Sequence, residues 1–483
     1  MKADPAPVQP SGLLHLALLT SEILGRIPPL SIAPALAGMA AIGAWPWGEP
    51  SLQAAVGLCL AVAILGDGIS LALLPRKGRS FGPVTPPLLA LALLRAALAF
   101  GLGMALGQEH VGATLAVPPL AVAPVAVAPQ GQAQGLPLPV ALGQEHVGAT
   151  LAVAPLAVAP LAVAPTTVGV ILTIVLQAGI TALQIYATWV EPFRLTVTPL
   201  EFTSPKLQGG EPLRVLHLSD IHFEGWTPRE RRLLEVARAL SPDLIFLTGD
   251  YLNLSSVDHG PARQGVRDLL AELATVAPTY AVIGSPPVDR PDVVPQIFAG
   301  LPITWLVDEV TEVEVKGHRL RLIGIRCTAD HRRDGERLRQ LCSAGFHPAL
   351  QILLYHSPDL FPLAAELGID LHLAGHTHGG QLRLPLFGAL VTSSAFWKRY
   401  EAGLYRKGAS TLYVSRGIGV EGKGAPRARF LAPPEVVLVL LARRPALNAP
   451  TEVALPGPQA SGRPSPTGSV GAGRRPAQRA QGG

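Results

Sequence analysis

The stretch Val215 to Asp250, VLHLSDIHFEGWTPRERRLLEVARALSPDLIFLTGD, admits few folds. An apolar run, Val215 to Leu218, ends in Ser219-Asp220-Ile221-His222, and a second run, Leu244 to Leu247, ends in Thr248-Gly249-Asp250. Between them, Thr227 is a good N-cap, Pro228 suits the first helical position, and Glu230 completes a capping box. The whole reads as one βαβ unit with parallel strands buried on both faces. Such folds place their chemistry in the crevice beyond the carboxyl ends of the strands. Asp220, His222 and Asp250 all fall there, and carboxylate with imidazole suits a first-row transition metal.

The rest of the chain decides what that unit belongs to. Only 15% of the 483 residues are charged and 48% are hydrophobic. Four apolar stretches are long enough to cross a bilayer, at Pro29 to Trp45, Gln53 to Leu74, Pro87 to Leu106 and Val168 to Val190. Residues 1–190 therefore read as a membrane region with an α-helical transmembrane bundle. No short hydrophobic core followed by a small-residue cleavage site marks a removable signal peptide. Arg76-Lys77-Gly78-Arg79 lies between the second and third stretches, and the other two connections carry no Lys or Arg. By the positive-inside rule, both termini and the large C-terminal domain are expected in the cytoplasm. Asp67 and Arg95 stand at a shared depth in antiparallel spans, which fits an interhelical ion pair or, equally, two charges each facing its own polar cavity.

Residues 107–165 form a Pro/Ala/Val-rich repeat, in which the segment GQEHVGATLAV occurs at 107–117 and again at 143–153. Its regular prolines exclude a helix, so His110 and His146 read as copied loop residues. The net charge of +5 equals that of the tail from Arg443, with six arginines against Glu452. The excess charge thus sits in a Pro/Gly-rich segment, 443–483, expected to be disordered, and nucleic-acid binding is not expected. Cys59, Cys327 and Cys342 lack metal or redox spacing.

After a linker at 191–212, a soluble domain runs over 213–442, long enough for one layered α/β core. Tyr280 to Ile283 ends in Gly284-Ser285-Pro286-Pro287, and Val310 to Val315 with Leu320 to Ile325 reads as a hairpin. Leu350 to Tyr355 leads into His356, and Asp370 to Ala374 leads into Gly375-His376-Thr377-His378-Gly379-Gly380-Gln381. Each apolar run ends in candidate ligands. That ordered series carries the inference, because isolated pairs of this kind are common.

This order of motifs resembles the calcineurin-like metallophosphoesterases, most of all their membrane-anchored bacterial branch, whose last motif reads Gly-His-Thr-His-Gly-Gly-Gln. The resemblance covers about residues 213 to 441 and implies an α/β (α+β) fold, a double β-sandwich flanked by helices. It also implies two divalent metal ions, Mn, Fe or Zn. Position by position, Asp220, His222 and His378 would bind one ion, Asp250 would bridge both, and His356 and His376 would bind the second. Two ions about 3.5 to 4 Å apart can clamp both oxygens of a phosphoryl displacement and activate water. Asp250 and His376 are the expected catalytic residues.

The sequence departs from the family where the family has Gly-Asn-His-Asp/Glu. Ser285 stands in for a metal-binding Asn, and Pro286 for the His that stabilises the transition state or protonates the leaving oxygen. Loss of a positioned acid costs about 10² to 10⁴ in rate. Asp289, His318 and His331 are candidate substitutes, each expected on a solvated loop, and Arg326, Arg332, Arg333 and Lys398 are candidate phosphate contacts. Phe396-Trp397-Lys398-Arg399-Tyr400 has the composition of a membrane-interface contact or of packing beneath a loop.

The expected protein is thus a metallophosphoesterase in the bacterial cytoplasmic membrane, hydrolysing a phosphodiester, lipid-linked in view of the anchor, by metal-activated hydroxide. The alternative is a catalytically impaired metal-binding scaffold.

Overall fold

The computed structural model describes residues 20–106, 165–208, 210–342, 347–422 and 426–443. The repeat at 107–164, with His110 and His146, and the basic tail from 444 lie outside them.

Four helices are long and apolar enough to cross a membrane, within Pro29–Trp47, Pro50–Arg76, Thr85–Leu106 and Thr167–Phe193. Of the two arrangements open to Asp67 and Arg95, the ion pair is present. Arg95 Nε and Nη2 each lie 2.8 Å from an Asp67 carboxylate oxygen, and both side chains are fully buried. The remaining guanidinium hydrogens reach the fourth helix, at the Gln177 carbonyl (2.8 Å), Gln177 Oε1 (2.9 Å) and Thr181 Oγ1 (2.7 Å). Every N–H of this Arg is satisfied, as burial of a fixed charge in apolar surroundings requires.

The part that follows the apolar helices is built on two mixed sheets. The first contains β1 (Thr196–Ser204), β2 (Leu213–Leu218), β3 (Leu244–Leu247), β4 (Thr279–Ala281), β5 (Ile303–Trp305) and β14 (Glu435–Arg443), in the order β1-β14-β2-β3-β4-β5. The second contains β6 (Glu309–Val315), β7 (His318–Gly324), β8 (Leu350–Leu354), β9 (Leu371–Ala374), β12 (Gly403–Lys407) and β13 (Ser410–Val414), in the order β12-β13-β9-β8-β7-β6. A short hairpin, β10 (Arg383–Leu384) with β11 (Gly388–Ala389), stands apart.

Alternation along the strands makes this a sandwich. Val215, Leu244 and Phe246 meet Leu322, Ile352 and Leu373 between the sheets. Leu216, Ile245 and Leu247 point the other way, onto the helices Pro228–Leu240 and Gly260–Ala274, through Leu233 and Leu269. On the far side, Ile323 and Leu353 cover Leu338 of the helix His331–Leu341. A double β-sandwich flanked by helices is what the motif order implied.

The βαβ reading holds in detail. β2 and β3 pair in parallel with Val215 opposite Leu244. Arg229 N donates to Thr227 Oγ1 (3.1 Å) and Thr227 N to Glu230 Oε2 (2.9 Å), closing the capping box. The stretch read as a linker, 191–212, needs correction. Its Thr196 to Ser204 forms β1, an edge strand paired along its length with β14, and buried Glu191 accepts Ala432 N at 2.6 Å. Burial alternates strictly along β1, but its inward positions are mostly Thr and Ser, with Leu200 and Phe202 the apolar ones, so the hydropathy of the sequence does not show it.

The segment before β14 runs back onto the apolar helices. Phe430 packs edge-on against Tyr186 with ring centroids 6.2 Å apart, and Arg429 N donates to the Ala187 carbonyl at 2.9 Å. At the same end, Arg79 donates to the Trp189 carbonyl at 2.7 Å and lies over the rings of Trp189 and Phe193.

Candidate metal centre

Six of the seven sequence-identified ligands emerge just beyond strand ends: Asp220 and His222 after β2, Asp250 after β3, His356 after β8, and His376 and His378 after β9. Ser285 follows β4 four residues on. β2, β3 and β4 lie side by side in one sheet, β8 and β9 in the other, so the two edges face each other across one crevice.

Close approach of these loops demands unusual backbone. Asp220, His222, Asp250, His376 and His378 all have positive φ, from 43° to 72°. A non-glycine residue there costs roughly 1–2 kcal/mol, and such conformations gather where function holds them. Gly284 is needed for a different reason: a Cβ on it would collide with the carboxylate and backbone nitrogen of Asp250.

The side chains converge in two groups. Asp220, His222 and His378 bring one donor atom each within 4.8 Å of one another, as do Asp250, His356 and His376. In the first, His222 Nε2 lies 3.0 Å from His378 Nε2, which is 3.5 Å from Asp220 Oδ1. In the second, His356 Nε2 lies 3.1 Å from His376 Nδ1 and 3.2 Å from Asp250 Oδ2. Asp250 Oδ2 is also 3.6 Å from His222 Nε2, so this one carboxylate touches both groups. Ser285 Oγ joins the second group, 3.2 Å from Asp250 Oδ2 and 3.1 Å from His356 Nε2.

Imidazoles are held with their nitrogens turned inward. His356 Nδ1 meets the Thr248 carbonyl at 2.8 Å, which leaves Nε2 free as a lone-pair donor, the arrangement of a metal-bound histidine. Asp220 accepts His376 N at 3.0 and 3.1 Å. Burial alone would push His356 down, but the Asp250 carboxylate beside it carries it up to about 10. His376 is lowered, first by burial and then by the charge of His356. His378 goes well below its usual value through burial, with His222 and Arg429 adding to it. Two buried carboxylates among clustered imidazole nitrogens thus call for positive charge at the centre, and this donor set suits divalent first-row metals.

Two nearby residues escaped the sequence analysis. Glu421 Oε2 lies 3.8 Å from His222 Nε2 and forms a third close group with His222 and Asp250. Arg429, fully buried, donates to the carbonyls of Ala432 (2.8 Å) and Arg416 (2.9 Å), with Nη2 3.4 Å from His378 Nδ1. Neither has ligand-like spacing. The only available signal was the run of glycines from Gly417 to Gly422.

The candidate substitutes for the missing histidine need correction. Asp289 is not solvated: its carboxylate is buried and accepts Asp250 N (2.8 Å), Tyr251 N (3.0 Å) and Gly284 N (2.7 Å). Burial and the neighbouring Asp250 charge raise it to about 7. His318 is buried at the start of β7 against the Glu211 carbonyl, 2.7 Å away. His331 is half-buried beside Asp359, at 3.2 Å. Of the candidate phosphate contacts, Arg326 pairs with Asp308 at 2.6 Å, and Arg332 and Arg333 are exposed on their helix. Lys398 donates to the Phe387 carbonyl and sits over its ring. The 396–400 segment divides between its two readings: Phe396 and Tyr400 pack with Phe361, whereas Trp397 is half-exposed.

Comparison with known proteins agrees with this geometry. The calcineurin-like phosphoesterase family matches residues 213–380. The chain is 34% identical to phosphodiesterase YaeI of Escherichia coli K12 over 221 residues, 43% of this chain and 76% of that protein. It is 26% identical to the metallophosphoesterase YkuE of Bacillus subtilis 168, covering 53% and 88% of the two chains. The UDP-2,3-diacylglucosamine pyrophosphatase LpxG of Chlamydia trachomatis is 24% identical, with 56% and 95% covered. With its motifs, its sandwich and its clustered Asp and His residues, this chain belongs to the calcineurin-like phosphoesterases, hydrolases of phosphoester bonds.

Proposed function

We propose that the protein is a membrane-anchored phosphodiesterase that uses two divalent ions, Mn, Fe or Zn, on a cytoplasmic, lipid-linked substrate. The observation that carries this reading is the pair of Asp/His groups sharing Asp250. Asp220, His222 and His378 would hold one ion, His356, His376 and Ser285 the other, and Asp250 would bridge them. Bound there, the ions supply an activated water and stabilise developing charge on phosphorus oxygens.

The chain's own residues prepare that site. The Thr248 carbonyl fixes the His356 tautomer, so its Nε2 stays available. His376 is seated by its main-chain N–H on Asp220. Ser285 N donates to Asp250 Oδ1 at 2.6 Å, which turns the bridging carboxylate's other oxygen toward the imidazoles. Half-buried His376 lies at the open side of its group and is the residue best placed to face a substrate oxygen. The four apolar helices, their basic loop and the LpxG and YaeI names support a membrane setting and a lipid-linked diester.

One observation favours a second reading, a metal-binding scaffold with little turnover: Pro286 can neither donate nor accept a proton where the family has histidine. Mn²⁺-dependent hydrolysis of bis-p-nitrophenyl phosphate by the full chain separates the two. The phosphodiesterase reading expects activity that needs metal and is lost in Asp250→Asn. A folded, metal-loaded protein without activity would establish the scaffold.

A further inference from the structure

The β10–β11 hairpin carries apolar side chains that are left exposed among the described residues. Leu386 at its tip is fully exposed, and Leu384, Phe387, Trp397 and Leu431 are each about half exposed. Leu384, Leu386, Phe387 and Leu431 line one surface, and an exposed apolar group of this kind marks a contact surface.

Three observations identify the partner. First, the hairpin grows from the face that meets the apolar helices. Leu382 is bridged to Phe430, and Arg383 N donates to the Phe430 carbonyl at 3.0 Å. Phe430 in turn packs on Tyr186, in the last turns of the fourth apolar helix. The depth of that contact is marked by Trp189 and by Arg79 of the basic loop, the aromatic and cationic residues that gather at a bilayer surface. Second, Lys398 and Arg399 flank the apolar set, with the Lys398 ammonium 3.5 Å from the centre of the Phe387 ring. Apolar side chains with adjacent cations fit an anionic lipid surface. Third, the hairpin is fastened to the candidate metal centre. Arg383 Nη1 donates to the Gly379 carbonyl at 2.9 Å, next to His378, and Ser393 Oγ donates to the His376 carbonyl at 3.1 Å. Glu401 ties both hairpin strands, through Arg383 Nη2 (2.9 Å) and Ala389 N (3.1 Å), to the same loop, since its carbonyl accepts Thr377 Oγ1 at 2.7 Å.

We propose that this hairpin beds into the headgroup–acyl boundary beside the fourth apolar helix and holds the His376–His378 corner of the site at the membrane surface, so that the phosphoester it meets is carried on a lipid. The last clause rests on the phosphodiesterase reading, whereas the bilayer contact does not.

The test has two arms, both on the full chain in bilayers of phosphatidylethanolamine and phosphatidylglycerol. A nitroxide is placed at Leu386→Cys, with Cys59→Ser, since Cys327 and Cys342 are buried. The label is expected to be relaxed by dissolved oxygen and shielded from a water-soluble nickel chelate. A control label at Gln264→Cys, exposed on the helix Gly260–Ala274, is expected to show the reverse. Free access of the chelate to Leu386 overturns the bilayer contact, and shielding from both reagents replaces it with a protein contact such as a second copy. In the second arm, Leu386→Glu with Phe387→Glu is expected to slow hydrolysis of an alkyl p-nitrophenyl phosphodiester held in vesicles by at least about tenfold. Hydrolysis of soluble bis-p-nitrophenyl phosphate should stay within about twofold. Equal losses on both substrates, or none on either, overturn the lipid-presentation clause. If the unaltered protein hydrolyses neither, the phosphodiesterase reading and the clause resting on it fail, and the nitroxide still decides the hairpin.

Discussion

Asp289 organises the most altered part of the site, and its replacement by Asn measures how much. One buried carboxylate accepts three main-chain N–H groups, from Asp250, Tyr251 and Gly284, at 2.7 to 3.0 Å. An Asn amide keeps a single acceptor oxygen and turns an NH₂ group toward at least one of those donors. Asp250 N and Gly284 N share one oxygen, so one donor, Tyr251 N, is left facing the NH₂ at about 1–3 kcal/mol, and Asp289→Asn is expected to lose about 1–3 kcal/mol of stability. The damage is expected to fall on function as well, because Asp250 N and Gly284 N belong to the segments that carry Asp250, the proposed bridging carboxylate, and Ser285. A shift of the Asp250 backbone should weaken binding of Mn²⁺ and lower the rate by about 10–10². The assays are thermal unfolding of the purified full chain, with and without Mn²⁺, and metal titration of bis-p-nitrophenyl phosphate hydrolysis. A variant within about 0.5 kcal/mol of the parent, with unchanged metal dependence, would refute the argument.

Restoring Ser285→Asn together with Pro286→His should raise kcat at least about tenfold, because a positioned acid returns to the leaving oxygen; no gain would place the limit outside this loop. In the apolar bundle, Asp67→Leu leaves the Arg95 guanidinium buried without its carboxylate, at a cost of about 3–5 kcal/mol, and folded yield should collapse. The double change Asp67→Leu with Arg95→Met should recover it, and failure to do so would assign Arg95 a role beyond pairing. His217 lies buried between the sheets and His372 on the outer face of the second sheet beside Tyr355 and Phe361. Each is pulled down to about 3, His217 by burial and the His372 charge, His372 by burial. With folded values depressed below 6.5, their contribution to stability is complete above that pH and declines as pH falls toward 3. The slope is up to about 1.4 kcal/mol per pH unit for each proton taken up on unfolding. Unfolding free energies measured from pH 7 to pH 4 should therefore fall, and less steeply in His372→Phe; an identical slope in the variant would refute the assignment.

Much of this protein was written locally. The capping box at Thr227 and Glu230, the apolar runs of β2 and β3, and the histidine pair in a glycine-bounded loop are short-range patterns, and each formed where its pattern lay. The shared depth of Asp67 and Arg95 is local too, since helical rise alone sets it, whereas the packing of the helices joined them as a pair.

What the chain order could not contain was contact between distant segments. β1 carries little hydropathy signal because its inward positions are mostly Thr and Ser, and its place comes from pairing with β14, well over two hundred residues later. Asp289 looked like a loop acid, but the fold folds it inward against the main chain of Asp250 and Gly284. Glu421 and Arg429 reach the site only because the glycine-rich segment before β14 crosses the ends of β2 and β9. Periodicity reports which face of an element is buried. Only the packing of one sheet against the other decides which carboxylates, imidazoles and main-chain donors share a crevice, because that depends on pairings between segments far apart in sequence.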